Sequence, residues 1–311
     1  MEKTALLFPG QGSQFVGMGQ DLYETYAKAR AVFDMAEDIT GLPIKSLCFE
    51  GPMEVLTETV NLQPAVTAVN LAVLEVLREK GFAFAYTAGH SLGEYSALCA
   101  AGVLSVADTL KLVFERGSLM HRDSLVQKGA MSAIIGLNIT AVENLLREAQ
   151  KAGPVTVANH NMETQIVITG DPAAVARANE LAGEQGARAV MLNVSGAWHS
   201  EFMRQASNDF LAHLEASAFS DADDANILLN VTAAMGKQGA EVKEIMGRQL
   251  CSPVKWYDIT IYLQQQGVTR FVEAGPGKVL AGLTKKILPK DYAYTLYNVC
   301  TPEQIDKLLA V

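Results

Sequence analysis

The chain has 311 residues, 49% of them hydrophobic and 19% charged, with a formal net charge of −9 and a pI of about 5.1. That much apolar residue in that length excludes a disordered chain and leaves one large domain or two unequal ones. The acidic balance excludes the strongly basic face that nucleic-acid binding requires.

The apolar start, Ala5 to Phe8, breaks at Pro9-Gly10 and is too short for the core of a targeting segment. The longest apolar stretch, Leu62 to Leu77, is interrupted by Asn70 and Glu75 and is not read as a membrane span. Cys48, Cys99, Cys251 and Cys300 are scattered, with no CxxC and no cysteine–histidine pairing. That pattern argues against a disulfide scaffold or a zinc site and leads to the expectation of a cytoplasmic protein without a metal.

In chain order, strand-like runs alternate with helical periodicity, the pattern of an α/β protein. Thr4 to Phe8 reads as a strand running into the loop Pro9-Gly10-Gln11-Gly12-Ser13-Gln14. Pro64 to Lys80 reads as a helix closed by Gly81, and Tyr86 to Gly89 as a short strand leading into Ser91. Leu92 to Ala101 is rich in small residues, as a helix packed closely on a sheet would be. Ser105 to about Ser124 reads as a helix with Ser105 as N-cap.

The middle third changes rhythm. Met131 to Leu137 is a strand, and Thr140 to Ala152 a helix capped by Thr140 with Glu143 three residues on. A hairpin follows, from Val155–Ala158 through a turn around Asn161 and Glu163 to Gln165–Thr169. A helix from Pro172 to about Gln185 and a strand from Ala187 to Val194 complete the order βαββαβ, the ferredoxin-like pattern. The expected organisation is a large α/β body, 1–127 and 198–311, with a small ferredoxin-like α+β subdomain, 128–197, inserted into it.

Gly89-His90-Ser91-Leu92-Gly93 fits G-x-S-x-G between a predicted strand and a predicted helix. The glycines permit a sharp turn that exposes the serine hydroxyl, and the Leu92 amide then faces any oxyanion formed there. The alternative is a tight turn whose serine merely caps the helix. A nucleophilic serine needs a base, and five histidines are available. His90 lies in the turn, His121 and His213 on predicted helices, and His160 on the hairpin. His199, in Ser195-Gly196-Ala197-Trp198-His199-Ser200, stands where a strand gives way to a helix, as Ser91 does; a helix-capping role is its alternative.

Arg116 falls on the apolar stripe of its helix with Val106, Leu110, Val113 and Met120, opposite Lys111, Glu115 and Arg122. A buried guanidinium must be paired. Its partner is either an internal carboxylate or the carboxylate of a substrate, which guanidinium geometry matches bidentately. The glycine-rich loops complete neither a dinucleotide nor a Walker motif: Gly10-Gln11-Gly12 lacks the third glycine, and Gly275-Pro276-Gly277-Lys278 the earlier glycine and the hydroxyl residue. The first loop could instead bring a second oxyanion-binding amide to Ser91.

Six motifs in register carry a resemblance across nearly the whole chain. They are Phe8 to Gln14, Gly89 to Glu94, Arg116-Gly117, Gly196 to Ser200, Arg248-Gln249-Leu250, and Glu273 to Lys278. Together the chain resembles the malonyl-CoA:acyl-carrier-protein transacylases. The resemblance implies a hydrolase-like parallel-sheet body and transfer of malonyl from malonyl-CoA to the phosphopantetheine thiol of acyl carrier protein, in fatty acid biosynthesis. It implies Ser91 as the acylated nucleophile, His199 as base, Arg116 as the clamp on the malonyl carboxylate, the Gln11 and Leu92 amides as oxyanion hole, and Gln249 beside His199. CoA thioester and carrier are substrates, with no cofactor held. Trp198 departs from the phenylalanine usual in malonyl-selective relatives, and its bulk still disfavours a 2-methyl branch. A basic stretch, Lys278, Lys285, Lys286 and Lys290, could dock the carrier; its alternative is a solvated helix face. The rival activities are a free-standing malonyltransferase serving a polyketide synthase and a serine thioesterase.

Overall fold

The structure, a computed structural model, describes residues 3–194 and 196–310; Met1, Glu2, Ser195 and Val311 lie outside the described residues. Among the described residues, ten strands form two sheets. The larger contains β1 (Lys3–Phe8), β2 (Tyr86–Gly89), β7 (Asn226–Leu228), β8 (Met235–Gly236), β9 (Val268–Ala274) and β10 (Thr295–Val299). The smaller contains β3 (Ala130–Ile135), β4 (Val155–Met162), β5 (Gln165–Gly170) and β6 (Arg188–Met191).

The large sheet runs β10-β9-β1-β2-β7-β8, parallel except for β8. β1 sits inside it and, with helices on both faces, reads as the unbroken apolar run Ala5-Leu6-Leu7-Phe8, all buried. The helix Thr59–Glu79 covers one face. It is long and apolar enough to cross a bilayer, yet 89% of its most apolar window is buried inside the protein, where it is a core helix. It starts at Thr59 rather than Pro64, so the proline lies inside the helix instead of opening it.

Phe8 pairs with Gly89 in register, so the loops after β1 and β2 leave the same sheet edge side by side. Glycine is what lets them approach. A Cβ on Gly93 would lie 2.0 Å from the Phe8 carbonyl oxygen, and one on Gly89 2.0 Å from the Gly93 oxygen. The helix Gly93–Ala100 is buried throughout, as its small residues require. Ser105 caps the helix Val106–Val126 by accepting from the Asp108 amide at 3.0 Å.

The small sheet is antiparallel in the order β4-β5-β3-β6, with the first and third strands of the βαββαβ unit at its centre, as in ferredoxin-like folds. The helices Ile139–Ala149 and Pro172–Glu184 cover one face, packing Val142, Leu146, Val175 and Ala178 on Ile134, Ile166 and Ile168. The alternate residues Met131, Ala133 and Val167 join the core of the large body. Asn138, not Thr140, caps the first of these helices, its side chain accepting from Ala141. β4 runs on to Met162 because its far end docks on the body: Val254 donates to the Ala158 carbonyl, and His160 donates to that of Val254, both at 2.9 Å. The two chain crossings between sheets touch, since a Cβ on Gly129 would lie 2.4 Å from that of Ala197.

Gly93→Ala forces main chain apart at the sheet edge. It is expected to destabilise the protein by about 3 kcal/mol or more, read as a lowered denaturation midpoint, and to cost activity even where the variant folds.

Candidate active site

Ser91 stands at the apex between β2 and the helix Gly93–Ala100 with φ 50°, a left-handed conformation rarely adopted by a residue with a side chain. The strain is held by Asn230, fully buried just after β7. Its Oδ1 accepts from the Ser91 amide and its Nδ2 donates to the Gly89 carbonyl, each at 2.7 Å. No sequence motif marks Asn230, and only the pairing of β7 with β2 brings it here.

His199 is the histidine that meets the serine: its Nε2 lies 2.7 Å from Ser91 Oγ. It too has a left-handed backbone, φ 61°. Nδ1 faces the carbonyl oxygens of Gln249 and Ser252, each at 3.1 Å. Carbonyls only accept, so the proton resides on Nδ1 and Nε2 presents its lone pair to the hydroxyl. Burial, then the charge of Arg116, push the imidazole down to about 3, which keeps it neutral and able to accept a proton. Of the other histidines, His90 lies in the same cleft, its Nε2 2.8 Å from Asn161 Oδ1 across the two subdomains.

Arg116 is 1% exposed. Its Nη2 donates to Ser91 Oγ at 3.1 Å, its Nη1 to Gln63 Oε1 at 2.8 Å and its Nε to Gln249 Oε1 at 3.2 Å. The guanidinium also lies 5.6 Å from the centre of the Tyr95 ring. Among the described residues no carboxylate pairs with it directly; every hydrogen-bond partner is neutral. Gln63, which sequence reasoning missed, is recognisable only through the packing of Thr59–Glu79 on Val106–Val126.

These groups line a cleft of about 110 Å³ between the subdomains, with Gln11 and Leu92 on one side and Met131 and Trp198 among its apolar walls. Neither the Gln11 nor the Leu92 amide has a protein acceptor among the described residues, and both residues line the cleft. Trp198 is buried, its six-membered ring folded over Gly196, where a Cβ would lie 2.6 Å from it. Gln249 stands behind the pair, its backbone on His199 and its side-chain amide donating to the Ser91 carbonyl at 3.0 Å. A larger surface hollow of about 390 Å³, between Arg204 and Lys243, contains no such constellation. Among the described residues no cluster of histidine, cysteine or carboxylate side chains is arranged to hold a metal.

The four lysines are spread along one helix and its flanks. Lys278 is exposed at the start of the helix Val279–Ile287, next to the loop after β1, since a Cβ on Gly277 would lie 3.0 Å from the Ser13 carbonyl oxygen. Lys285, Lys286 and Lys290 are exposed near its other end, roughly 10 Å further along.

An elbow serine, an imidazole held by backbone carbonyls and free amides beside them suit acyl transfer through a serine ester. The chain belongs to the acyl transferase domain family, whose model matches residues 5–294. Within it, the chain is 45% identical over 289 residues to the malonyl CoA-acyl carrier protein transacylase of Bacillus subtilis (strain 168), covering 92% of this chain and 91% of that one. The acyl-carrier-protein-S-malonyltransferase of Bartonella henselae superposes with a TM-score of 0.94 at 38% identity, covering 99% of this chain and 98% of that one. A malonyl-transacylase solved with its type II polyketide acyl-carrier protein gives 0.93 at 35% identity, covering 99% of each.

Because His199 is neutral well below the ordinary imidazole range, kcat/KM for acylation of Ser91 should not fall between about pH 8 and about pH 5.5, where an exposed histidine would lose its base form. A steep loss through about pH 6.5 in a pH–rate profile would contradict this assignment.

Proposed function

We propose that the chain transfers malonyl from malonyl-CoA to the phosphopantetheine thiol of acyl carrier protein through a malonyl ester on Ser91. The observation that carries this reading is the guanidinium of Arg116, buried beside the Ser91 hydroxyl with only neutral partners and so open to a substrate carboxylate. A hydrolase acting on plain acyl groups has no use for that charge, which weighs against the thioesterase alternative.

In the proposed reaction His199 Nε2 takes the Ser91 proton as Oγ attacks the thioester carbonyl. The Gln11 and Leu92 amides bind the oxyanion, one such donor being worth roughly 3 kcal/mol. The tetrahedral intermediate collapses, the C–S bond breaks, and the CoA sulfur leaves with the proton from His199. The carrier thiol then gives its proton to His199, attacks the ester, and releases Ser91 by the same steps in reverse. Each step is carried by this chain's own side chains and amides, and the kinetics are ping-pong. Trp198 and the apolar walls would restrict the acyl group to one without a 2-methyl branch.

The carrier would approach over Lys278, whose place beside the loop after β1 supports it better than Lys285, Lys286 and Lys290. Fatty acid biosynthesis is the proposed setting, supported by the relatives' names. The polyketide complex among the structural neighbours favours a polyketide carrier as a second reading. Four free cysteines accord with the cytoplasm as the proposed compartment.

Mass spectrometry after mixing with malonyl-CoA should place the added malonyl mass on the peptide containing Ser91; an adduct elsewhere, or none, ends the mechanism. Arg116→Ala should cut malonyl transfer by roughly tenfold to a hundredfold or more, with acetyl transfer losing less or gaining. Equal losses for the two acyl groups would refute the clamp. Transfer rates to a fatty-acid and a polyketide carrier separate the two settings.

A further inference from the structure

Glu94 opens the helix behind Ser91 and is fully buried. Its Oε1 accepts from the Asn230 amide at 2.7 Å and its Oε2 from Gln249 Nε2 at 2.5 Å. Among the described residues it makes no direct ion pair. The same Gln249 amide turns its oxygen to Arg116 Nε, so one hydrogen-bonded chain joins carboxylate, amide and guanidinium, with the amide oxygen toward the cation and its N–H toward the anion. We propose that Glu94 is a specificity-determining positioning residue: its charge neutralises Arg116 through the Gln249 amide while leaving the Nη2 edge beside Ser91 for the carboxylate of an incoming acyl group. This rests on the malonyl reading above and deepens it.

A direct carboxylate on Arg116 would occupy the fork and exclude substrate; a wholly uncompensated guanidinium would be very costly to bury. The relay avoids both. Burial pushes the Glu94 carboxyl up to about 7, against the hydrogen bonds and the charge of Arg116 that favour ionisation. When a second anion reaches Arg116, Glu94 therefore takes up a proton from solvent, and the buried charge stays balanced. The other titratable groups of the site are shifted as follows. Burial pushes the Tyr95 hydroxyl, on the same helix as Glu94, up and the His199 and His90 imidazoles down, each toward its neutral form, and the guanidinium of Arg116 on the neighbouring helix is the cation of the group.

The test is competitive inhibition of Ser91 malonylation by methanesulfonate, an anion at every pH used, in the full chain. In the wild type, inhibition should strengthen by about fivefold or more from about pH 8 to about pH 6 as Glu94 protonates. Glu94→Gln should bind the sulfonate at the higher pH as tightly as the wild type does at the lower, without pH dependence. Glu94→Asp should restore the dependence. A merely structural Glu94 predicts weaker, not tighter, sulfonate binding on substitution. Inhibition independent of pH in the wild type overturns the assignment even where neither variant folds, as does a Glu94→Gln variant that binds the sulfonate no better than wild type at the higher pH. Wild-type malonylation of Ser91 is the control: its absence would remove the malonyl reading and this proposal together, whereas its presence with unchanged inhibition removes Glu94 alone.

Discussion

The guanidinium of Arg116 lies inside the body with a serine hydroxyl and two amide oxygens around it, and the polar groups of the site are disposed about that charge. Burial first, and then this charge, depress the basicity of His199, which therefore waits as a neutral acceptor. It also fixes the amide of Gln249, whose oxygen must face the cation and whose N–H groups are then turned to Glu94 and to the Ser91 carbonyl. The backbone of that same glutamine holds the imidazole. One residue thus transmits the position of the charge to both members of the reactive pair.

Both reactive residues occupy left-handed backbone, an uncommon conformation away from glycine. Each kink is over-determined by its surroundings. Asn230 splints one, and the carbonyls of Gln249 and Ser252 hold the imidazole that the other presents. Two rigid kinks hold a 2.7 Å contact between residues more than a hundred positions apart in the chain without help from a flexible loop.

Much of this was legible in the sequence because it depends on local chemistry. The elbow is written in Gly89 and Gly93, the inward face of Arg116 in the periodicity of its helix, and the ferredoxin-like unit in the switch between periods of two and 3.6. The role of His199 rested on the family resemblance, since its place in the sequence read equally well as a helix cap; in the structure it stands well beyond the end of β6, in a connection back to the body rather than at a strand end. What the sequence could not offer were partners brought by tertiary packing. Gln63 lies in the middle of an apolar helix, and Asn230 follows a three-residue strand with no periodicity to detect. Neutral partners for Arg116 were invisible for the same reason, since periodicity tells which way a side chain points and nothing of what it meets.

The contact between the two crossings has a bearing on how such a protein is assembled. The ends of the small subdomain lie against each other, so the body could be sealed at Gly129 and Ala197 by a very short splice, as an inserted module allows. The splice would carry away Met131, Leu192 and Val194 from the lining of the cleft. An acyl-serine left beneath an open ceiling would face bulk water, and a thiol would have to compete with it. On the proposed reading, the insert therefore stands beside Arg116 as a second bias toward transfer, a wall between the ester and water.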